Sequence, residues 1–93
     1  MDDYFDDPVP IEINGILDLH HFSPKDVKYL IGDYINECRK AGIYELRIIH
    51  GKGTGALRRT VHSLLNKSSK VHSFHLADET RGSWGATIVN LKR

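Results

Sequence analysis

Two histidines and one aspartate lie where short apolar segments of the sequence end. Asp18 and His20 alternate with two leucines, and His50 follows the apolar run Leu46 to Ile49. Near pH 7 an imidazole can exchange a proton with a hydroxyl, a water or a leaving oxygen, and an aspartate can orient it or bind a divalent ion. Asp18, His20 and His50 are therefore candidate catalytic residues. The alternative is that they are polar strand-end residues that satisfy the backbone or one another.

A glycine-rich turn, His50-Gly51-Lys52-Gly53-Thr54-Gly55, joins the second apolar run to a helical pattern. Unpaired N–H groups and the positive end of the helix dipole favour an anion at such a place, and glycines let the backbone approach a phosphate. The spacing is neither that of a Walker loop nor G-x-G-x-x-G, so a mononucleotide site is disfavoured. The alternative is an ordinary strand-to-helix turn that needs left-handed glycines.

The remaining histidines and the tryptophan offer weaker signals. His62 is predicted on the outer face of a helix, and surface positions also account for His21, His72 and His75. Trp84 begins the last apolar stretch, where core packing is favoured over stacking on a base. A tight structural metal is not expected, because aspartate and histidine at this spacing are not specific for one ion.

The nearly balanced charge of the whole chain hides a basic region. There are 13 Lys plus Arg against 12 Asp plus Glu, a net charge of +1. Five acids and no base lie in Met1 to Glu12, which leaves 13 bases against 7 acids in the rest. From Leu46 through Ala77 there is no acid. A polyanion partner therefore fits this chain.

Length and composition limit which classes of protein this chain can belong to. A chain of 93 residues with 40% hydrophobic content allows one domain with a modest core. The single cysteine, Cys38, excludes an internal disulfide and a zinc site built on thiolates. No apolar run suits a signal peptide or a membrane span, so we expect a cytoplasmic protein that does not bind membranes. Acidic residues 1–10 are predicted to be a flexible arm, and residues 11–93 the folded domain.

Apolar periodicity predicts the order β-α-β-α-β-β, with the helices packed against a mixed sheet as a two-layer α/β sandwich. Ser23 and Asp26 are predicted to form a capping box on the first helix, and Gly42 to end that helix in a left-handed conformation. Thr54 is placed to cap the second helix. The predicted strands are Ile11 to His20, Glu45 to His50, Val71 to Leu76 and Trp84 to Leu91. The first helix is predicted to begin at Pro24, and the second is predicted to follow the glycine turn and to close at Ser68 and Ser69.

This order predicts where the candidate residues meet. If the first three strands are parallel, their carboxyl ends lie at one edge of the sheet, and sites in such sheets favour that edge. The edge collects Asp18 and His20, the glycine turn, and the loop Asp78 to Ser83. The last strand begins there with Trp84.

Three segments together resemble the Smr (small MutS-related) domain: Leu17 to His20, His50 to Arg58, and Gly82 to Val89. The resemblance spans about Ile13 to Leu91 and includes short stand-alone bacterial-type proteins. It implies a fold similar to the C-terminal domain of bacterial translation initiation factor three, and endonuclease activity on DNA or RNA. In the family, the Leu-Asp-x-His and His-Gly-x-Gly segments are regarded as the functional ones. His21 stands here where the family usually has glycine.

We therefore expect an endonuclease that cuts RNA or nicks DNA, with a non-catalytic nucleic-acid or ribosome-associated binding module as the alternative. A monomer is expected, with nucleic acid as partner. Asp18 is the candidate ligand if Mg²⁺ or Mn²⁺ is used. His20 is assigned as general acid or base and His50 as phosphate contact or partner acid. The residues assigned to the nucleic acid are Gly51, Lys52, Gly53, Thr54, Gly55, Arg58, Arg59, Arg81 and Trp84.

Overall fold

The computed structural model describes residues 11–20, 22–81 and 83–93. The predicted arm, His21 and Gly82 lie outside these ranges. Within them, no helix is both long and apolar enough to cross a bilayer. The elements are β1 (Ile16–Asp18), α1 (Pro24–Lys40), β2 (Glu45–Ile49), α2 (Ala56–Lys67), β3 (Val71–Leu76) and β4 (Ala86–Leu91), with 3-10 helices at Glu79–Arg81 and Ser83–Gly85. The predicted α/β class and element order are confirmed.

The four strands form one mixed sheet in the order β1-β2-β4-β3. β1 pairs with β2 in parallel, whereas β4 runs antiparallel to both β2 and β3. β1, β2 and β3 therefore point the same way, and their carboxyl ends share one edge with the start of β4. The register places Asp18 beside Ile49, and Ile49 beside Ala86. The predicted meeting of the three carboxyl ends at one edge is confirmed, and a functional site at that edge stays a prediction.

Both helices pack on one face of the sheet. Apolar residues at helical spacing give α1 a buried stripe, and alternate residues of β2 and β4 face it. Fully burying one such side chain contributes about 1.5–3 kcal/mol before entropy is counted. The core includes Leu17, Leu19, Val27, Ile31, Ile35, Leu46, Ile48, Val61, Leu65, Val89 and Leu91. We call the opposite side of the sheet the open face: it carries the exposed Asp18 and the half-buried Arg47, and a small second cluster that includes Ile49, Ala86 and Ile88 packs there.

The ends of α1 show one confirmed prediction and one that is wrong. Gly42 has φ +78°, its N–H bonds to the Arg39 carbonyl at 3.1 Å, and the Ile43 N–H bonds to the Cys38 carbonyl at 2.8 Å. This is the predicted left-handed helix end. The capping box is not formed: Ser23 makes no side-chain cap, and the Asp26 N–H bonds to the Ser23 carbonyl instead.

The first strand is shorter than predicted because side chains take the backbone groups before it. Gly15 has φ +91°, and its N–H donates to the Tyr34 hydroxyl at 3.0 Å. The Ile16 N–H donates to Asn14 Oδ1 at 2.9 Å. β2 also differs, since Leu46 and Ile48 are buried while Arg47 and Ile49 are only half-buried. It is fully buried on one face and only partly covered on the other.

Candidate functional site

Asp18 and His20 lie together at the carboxyl end of β1, with side chains 48% and 55% exposed. Asp18 Oδ1 accepts the His20 backbone N–H at 2.9 Å and lies 2.7 Å from His20 Nδ1. A carboxylate oxygen only accepts, so Nδ1 carries a proton and Nε2 is left for another partner. Among the described residues no hydrogen bond reaches Nε2. The structure confirms that Asp18 and His20 share a face, and it shows how the carboxylate orients the ring.

The glycine turn begins against this imidazole. Gly51 has φ +82°, and a Cβ at this position would lie 3.1 Å from His20 Nε2. The carbonyl of Gly85 accepts the N–H groups of His50 at 3.0 Å and Gly51 at 2.8 Å. These two bonds tie the turn to the start of β4. The free nitrogen of His20 therefore adjoins the backbone of the turn.

Beyond Gly51 the turn opens into the first turn of α2. Gly55, at φ +87°, is the N-cap residue, and Thr54 Oγ1 accepts the Ala56 N–H at 3.3 Å. The prediction that Thr54 caps α2 is therefore wrong: Gly55 holds the cap position without a side-chain cap, and Thr54 lies one residue before it. A cleft of about 320 Å³ lies between this turn and the beginning of α1 at Pro24. A second hollow of about 330 Å³ lies on the open face beside His20 and Arg47, and Lys52 borders both.

Three predicted cations and the tryptophan surround the turn. A Cβ at Gly55 would meet guanidinium nitrogens of Arg58 and Arg59, each at 3.1 Å, so both arginines fold back over the turn. The Lys52 ammonium lies 5.8 Å from the centre of the Trp84 ring, which is 58% exposed. The expectation that Trp84 packs in the core is wrong, because the 3-10 helix at Ser83–Gly85 carries it outside β4. The backbone of Arg81 reaches the same edge.

His50 lies beneath the turn and not on its surface. The residue is 5% exposed, its Nδ1 is 2.9 Å from the Gly51 carbonyl, and its Nε2 is 2.8 Å from Thr87 Oγ1. Both ring nitrogens are thus already engaged. The hydroxyl of Thr87, which is fully buried, also lies 2.8 Å from His62 Nε2. The predicted contact of His50 with phosphate stays a prediction, since a bound substrate is needed to test it.

The prediction that His62 lies on the outer face of α2 is wrong. Its ring packs against Phe74 at 4.9 Å between centroids and meets His50 edge-on at 6.1 Å. The position follows the buried Val61 directly and lies three residues before the buried Leu65, so it borders the apolar stripe of the helix. That spacing is the signal which places His62 inward. A single threonine within an apolar strand gives no comparable signal for Thr87.

The hydrogen-bond chain through these side chains has a fixed direction. The Gly51 carbonyl can only accept, so His50 Nδ1 donates to it. In neutral His50 the Nε2 then accepts the Thr87 hydroxyl proton. The Thr87 oxygen in turn accepts the Nε2 proton of His62. The chain therefore runs from α2 through β4 to the carbonyl of Gly51.

Comparison with known proteins decides the family. A model of the Smr domain matches residues 17–92. The chain belongs to the Smr domain family. The Endonuclease MutS2 of Halothermothrix orenii is 36% identical over 80 residues, which is 86% of this chain and 10% of that protein. The Endonuclease MutS2 of Geobacillus sp. is 42% identical over 76 residues, with 82% and 10% covered. The chain spans about a tenth of the length of these relatives.

Solved structures agree with this assignment. The Smr domain of Thermus thermophilus MutS2 superposes with a TM-score of 0.79 at 33% identity, covering 84% of this chain and 98% of that one. YdaL, a stand-alone small MutS-related protein from Escherichia coli, has the same TM-score at 24% identity, covering 85% and 65%. The second likeness shows the fold alone. The likeness to a translation initiation factor stays a prediction.

Replacing Gly51 of this Smr domain by alanine tests the contact between the turn and His20. We expect a loss of about 1–2 kcal/mol in the free energy of unfolding, the cost of left-handed backbone for a residue with a Cβ. Any nucleic-acid binding or cleavage at the turn should also weaken, because a Cβ lying 3.1 Å from His20 Nε2 displaces the backbone of the turn from its place against the ring. Denaturant unfolding, binding and cleavage assays measure the three effects.

Gly42→Ala is the matched control for this variant. Gly42 has a similar φ of +78°, but a Cβ there meets nothing within 4 Å. It carries the same backbone strain far from the site, so its stability should fall by a similar amount without a change in binding. Equal functional losses in both variants would show that strain alone matters and that Gly51 has no special contact with His20.

The buried histidines of the Smr domain should make its stability depend on pH. Burial lowers the pKa of His50 and Arg58 lowers it further, while the bond to Gly51 opposes them. Burial, His50 and Arg58 lower the pKa of His62. Between the lowered pKa values of these two histidines in the folded protein and the usual pKa of about 6.5, the unfolded chain binds more protons than the folded one. The free energy of unfolding should therefore reach its full value above about pH 6.5 and should decrease as the pH is lowered below that value.

Denaturant titrations on both sides of that pH check the expectation. His62→Gln keeps an N–H donor for Thr87 but cannot titrate, so it should flatten the pH dependence. His75→Ala removes a histidine exposed on β3 and should leave the dependence unchanged. A pH profile that is flat in the unaltered protein would contradict the assignment of two neutral imidazoles.

Metal ligands in the described part of the Smr domain are few. No group of three His, Cys, Asp or Glu there has the geometry to hold an ion. Asp18 is the carboxylate beside the turn, and its Oδ1 already accepts two hydrogen bonds from His20. Mg²⁺ is often held by one or two carboxylates together with substrate phosphates. Asp18 fits that shared mode, and it does not fit a dedicated cage.

Proposed function

We propose that this Smr domain is a nucleic-acid endonuclease whose active centre lies at the carboxyl edge of the sheet. One observation carries the proposal: His20, held by Asp18 through Nδ1, presents its Nε2 against Gly51 in the anion-favouring turn. A proton-transfer group and a phosphate cradle are thus neighbours. The named activity of the MutS2 relatives supports the same conclusion, although this chain corresponds to a tenth of those proteins.

The turn serves to bind one backbone phosphate. The N–H groups in the first turn of α2 have no partners within the helix, and the dipole adds positive potential there. Lys52, Arg58 and Arg59 bring three positive charges to the same place. Arg81 is assigned to a flanking phosphate. These contacts fix position and carry no sequence information, so recognition by shape and backbone is expected.

His20 serves as the proton-transfer group of the cleavage step. An oxygen nucleophile, either a neighbouring 2'-hydroxyl or a water, forms a bond to phosphorus while the bond to the leaving oxygen breaks. Nε2 takes the nucleophile's proton, or in the opposite assignment gives one to the leaving oxygen. Asp18 holds the ring in place and stabilises the imidazolium formed in the first case. Mg²⁺ or Mn²⁺, where used, would neutralise phosphate charge next to Asp18.

Trp84 is assigned to a base next to the bound phosphate. Its ring is more than half exposed at the edge of the turn, and the Lys52 ammonium faces it. Base stacking on an aromatic ring is worth about 1–3 kcal/mol and tolerates any sequence. This assignment agrees with a nuclease that reads backbone and shape.

The proposal is tested with a panel of labelled structured RNA and DNA, incubated with and without magnesium or manganese. Cleavage with mapped product ends supports it and names the nucleophile. A 2',3'-cyclic end shows attack by the 2'-hydroxyl, and a 5'-phosphate shows attack by water. Intact substrates under every condition would reject nuclease activity.

A non-catalytic binding module, acting on nucleic acid or on ribosomes, is the second candidate. The burial of His50 favours this function, because both of its ring nitrogens are engaged. Among the described residues this leaves His20 as the one exposed imidazole that faces the turn. Binding that weakens steeply with salt, without turnover and without any effect of His20→Ala on affinity, would select this function.

A further inference from the structure

We propose that a second surface of this domain binds nucleic-acid phosphates at the sheet edge opposite the glycine turn. We call it the basic cleft. It is a hollow of about 480 Å³ lined by Asn36, Arg39, Lys40, Tyr44 and Lys70. The inference rests on the proposed function, because it takes the polyanion at the turn to be the same one that reaches the cleft.

The cleft is assembled from four separate parts of the chain. Arg39 and Lys40 form the last turn of α1, Tyr44 precedes β2, Lys70 precedes β3, and the residues after β4 close the group. Since β2 and β3 begin here, this edge is the one farthest from their carboxyl ends. The residues of the cleft are far apart in the sequence, and therefore no single basic motif predicts the cleft.

Specific contacts hold these parts together. The Leu91 N–H bonds to the Tyr44 carbonyl at 2.8 Å, and the Lys92 N–H bonds to the Lys70 carbonyl at 2.8 Å. Arg39 Nε donates to the Lys92 carbonyl at 3.3 Å, and the Lys70 ammonium donates to the Asn36 amide oxygen. These bonds fix the backbone and two of the cationic side chains, which reduces the entropy lost when they bind an anion.

The charge of the cleft is strongly positive. The Arg93 guanidinium lies 4.7 Å from the centre of the Tyr44 ring, so four cations gather here: Arg39, Lys40, Lys70 and Arg93. Glu37 offsets one of them, at 3.3 Å from Lys40. Glu45, next to Tyr44 in the chain, alternates onto the open face of the sheet.

The simplest alternative is that these cations only complement the negative end of the α1 dipole. That account covers Arg39 and Lys40, which lie in the last turn of the helix. It does not cover Lys70 and Arg93, which come from other parts of the chain and converge on the same hollow. Phosphate binding accounts for the whole set.

The distance between the two surfaces sets the size of the ligand. Five residue steps along β4 separate Ala86, near the turn, from Leu91, near the cleft, which is about 17 Å. That exceeds the Debye length of about 8 Å at physiological salt, so each surface has to contact its own phosphates. A duplex advances about 3.4 Å per base pair, so reaching both surfaces requires at least about five base pairs.

The test compares Lys70→Gln/Arg93→Gln with Lys25→Gln/Lys28→Gln, which removes the same charge from exposed positions on α1 outside the cleft. The probes are labelled DNA or RNA hairpins with stems of about four and about twenty base pairs. For the long stem, the cleft variant should bind several-fold more weakly and its salt slope should fall by about 2. For the short stem it should bind like the unaltered protein. Circular dichroism confirms that each variant is folded.

The outcomes separate this inference from the proposed function. Equal losses in both double variants, or a cleft variant that loses as much on the short stem as on the long one, would reject the second surface. In that case, weaker binding by Gly51→Ala would still support the turn. If the unaltered protein binds neither hairpin, the proposed function itself fails. If both hairpins bind and the cleft variant matches the unaltered protein on each, only the cleft is rejected.

Discussion

His20→Ala is expected to lower the cleavage rate by about 10²–10⁴-fold, the usual contribution of a positioned general acid or base. Binding should change little, because Lys52, Arg58, Arg59 and the backbone of the turn remain. The reason is geometric: Asp18 fixes Nδ1, and Nε2 is the exposed nitrogen beside Gly51. Single-turnover cleavage and equilibrium binding, measured on one substrate, separate the two effects.

The matched control for this variant is His75→Ala. His75 is an exposed histidine on β3, the outer strand on the opposite side of the sheet from β1, so its loss removes an imidazole that makes none of the contacts described for the site. Cleavage by His20→Ala at the rate of the unaltered protein would remove His20 from the mechanism. An equal fall in binding and cleavage would instead make it a phosphate ligand.

Asp18→Asn refines the assignment of His20. The amide oxygen can still accept the backbone N–H of His20, but the negative charge beside Nδ1 is lost. Cleavage should fall while the fold is kept, since the pair is about half exposed. Unchanged cleavage would show that the position of the ring does not depend on the carboxylate.

Thr87→Val is expected to have the largest effect on stability, lowering the free energy of unfolding by about 1–3 kcal/mol. Valine has the shape of threonine but no hydroxyl, so the buried Nε2 of His50 loses its donor. His62, which is half-buried, can turn to water and loses less. Because His50 holds the Gly51 carbonyl, amide exchange of the turn should also become faster.

Thr60→Val is the matched control for Thr87→Val. The Thr60 hydroxyl also donates a hydrogen bond, to the Ala56 carbonyl at 3.1 Å, but its residue is exposed on α2. Water replaces that bond, so the change should be within about 0.5 kcal/mol. Equal stability losses at both positions would show that the hydroxyl of Thr87 does not hold the histidines in place.

Local patterns in the sequence predicted the elements well, because they depend on neighbours a few residues apart. The stripe that includes Val27 and Ile31 predicts α1, and Gly42 ends it as expected. The start of β1 was wrong because the Tyr34 hydroxyl, nineteen positions from Gly15, takes a backbone N–H that a longer strand would use. Such a contact depends on packing and leaves no local pattern.

The residues of the candidate site likewise fall into those that local sequence patterns predicted and those that only long-range contacts decide. Asp18, His20 and the turn could be named from residue types and spacing, and the parallel order of the first strands placed them at one edge. The roles of His50 and His62 could not be assigned, since both depend on Thr87, which is 37 positions from His50 and 25 from His62. Trp84 was misjudged for a similar reason, because its exposure is set by the 3-10 helix before β4.

The sequence by itself determined the family, the order of elements and the edge where chemistry is expected, since periodicity and short motifs are properties of neighbouring residues. Only the tertiary structure decided which imidazole is exposed and which is buried. It also decided that Lys70 and Arg93 meet Tyr44 in a second basic surface. The physical reason is that burial, hydrogen-bond partners and local charge depend on contacts between strands and helices distant in sequence. These contacts form only when the sheet assembles in the order β1-β2-β4-β3.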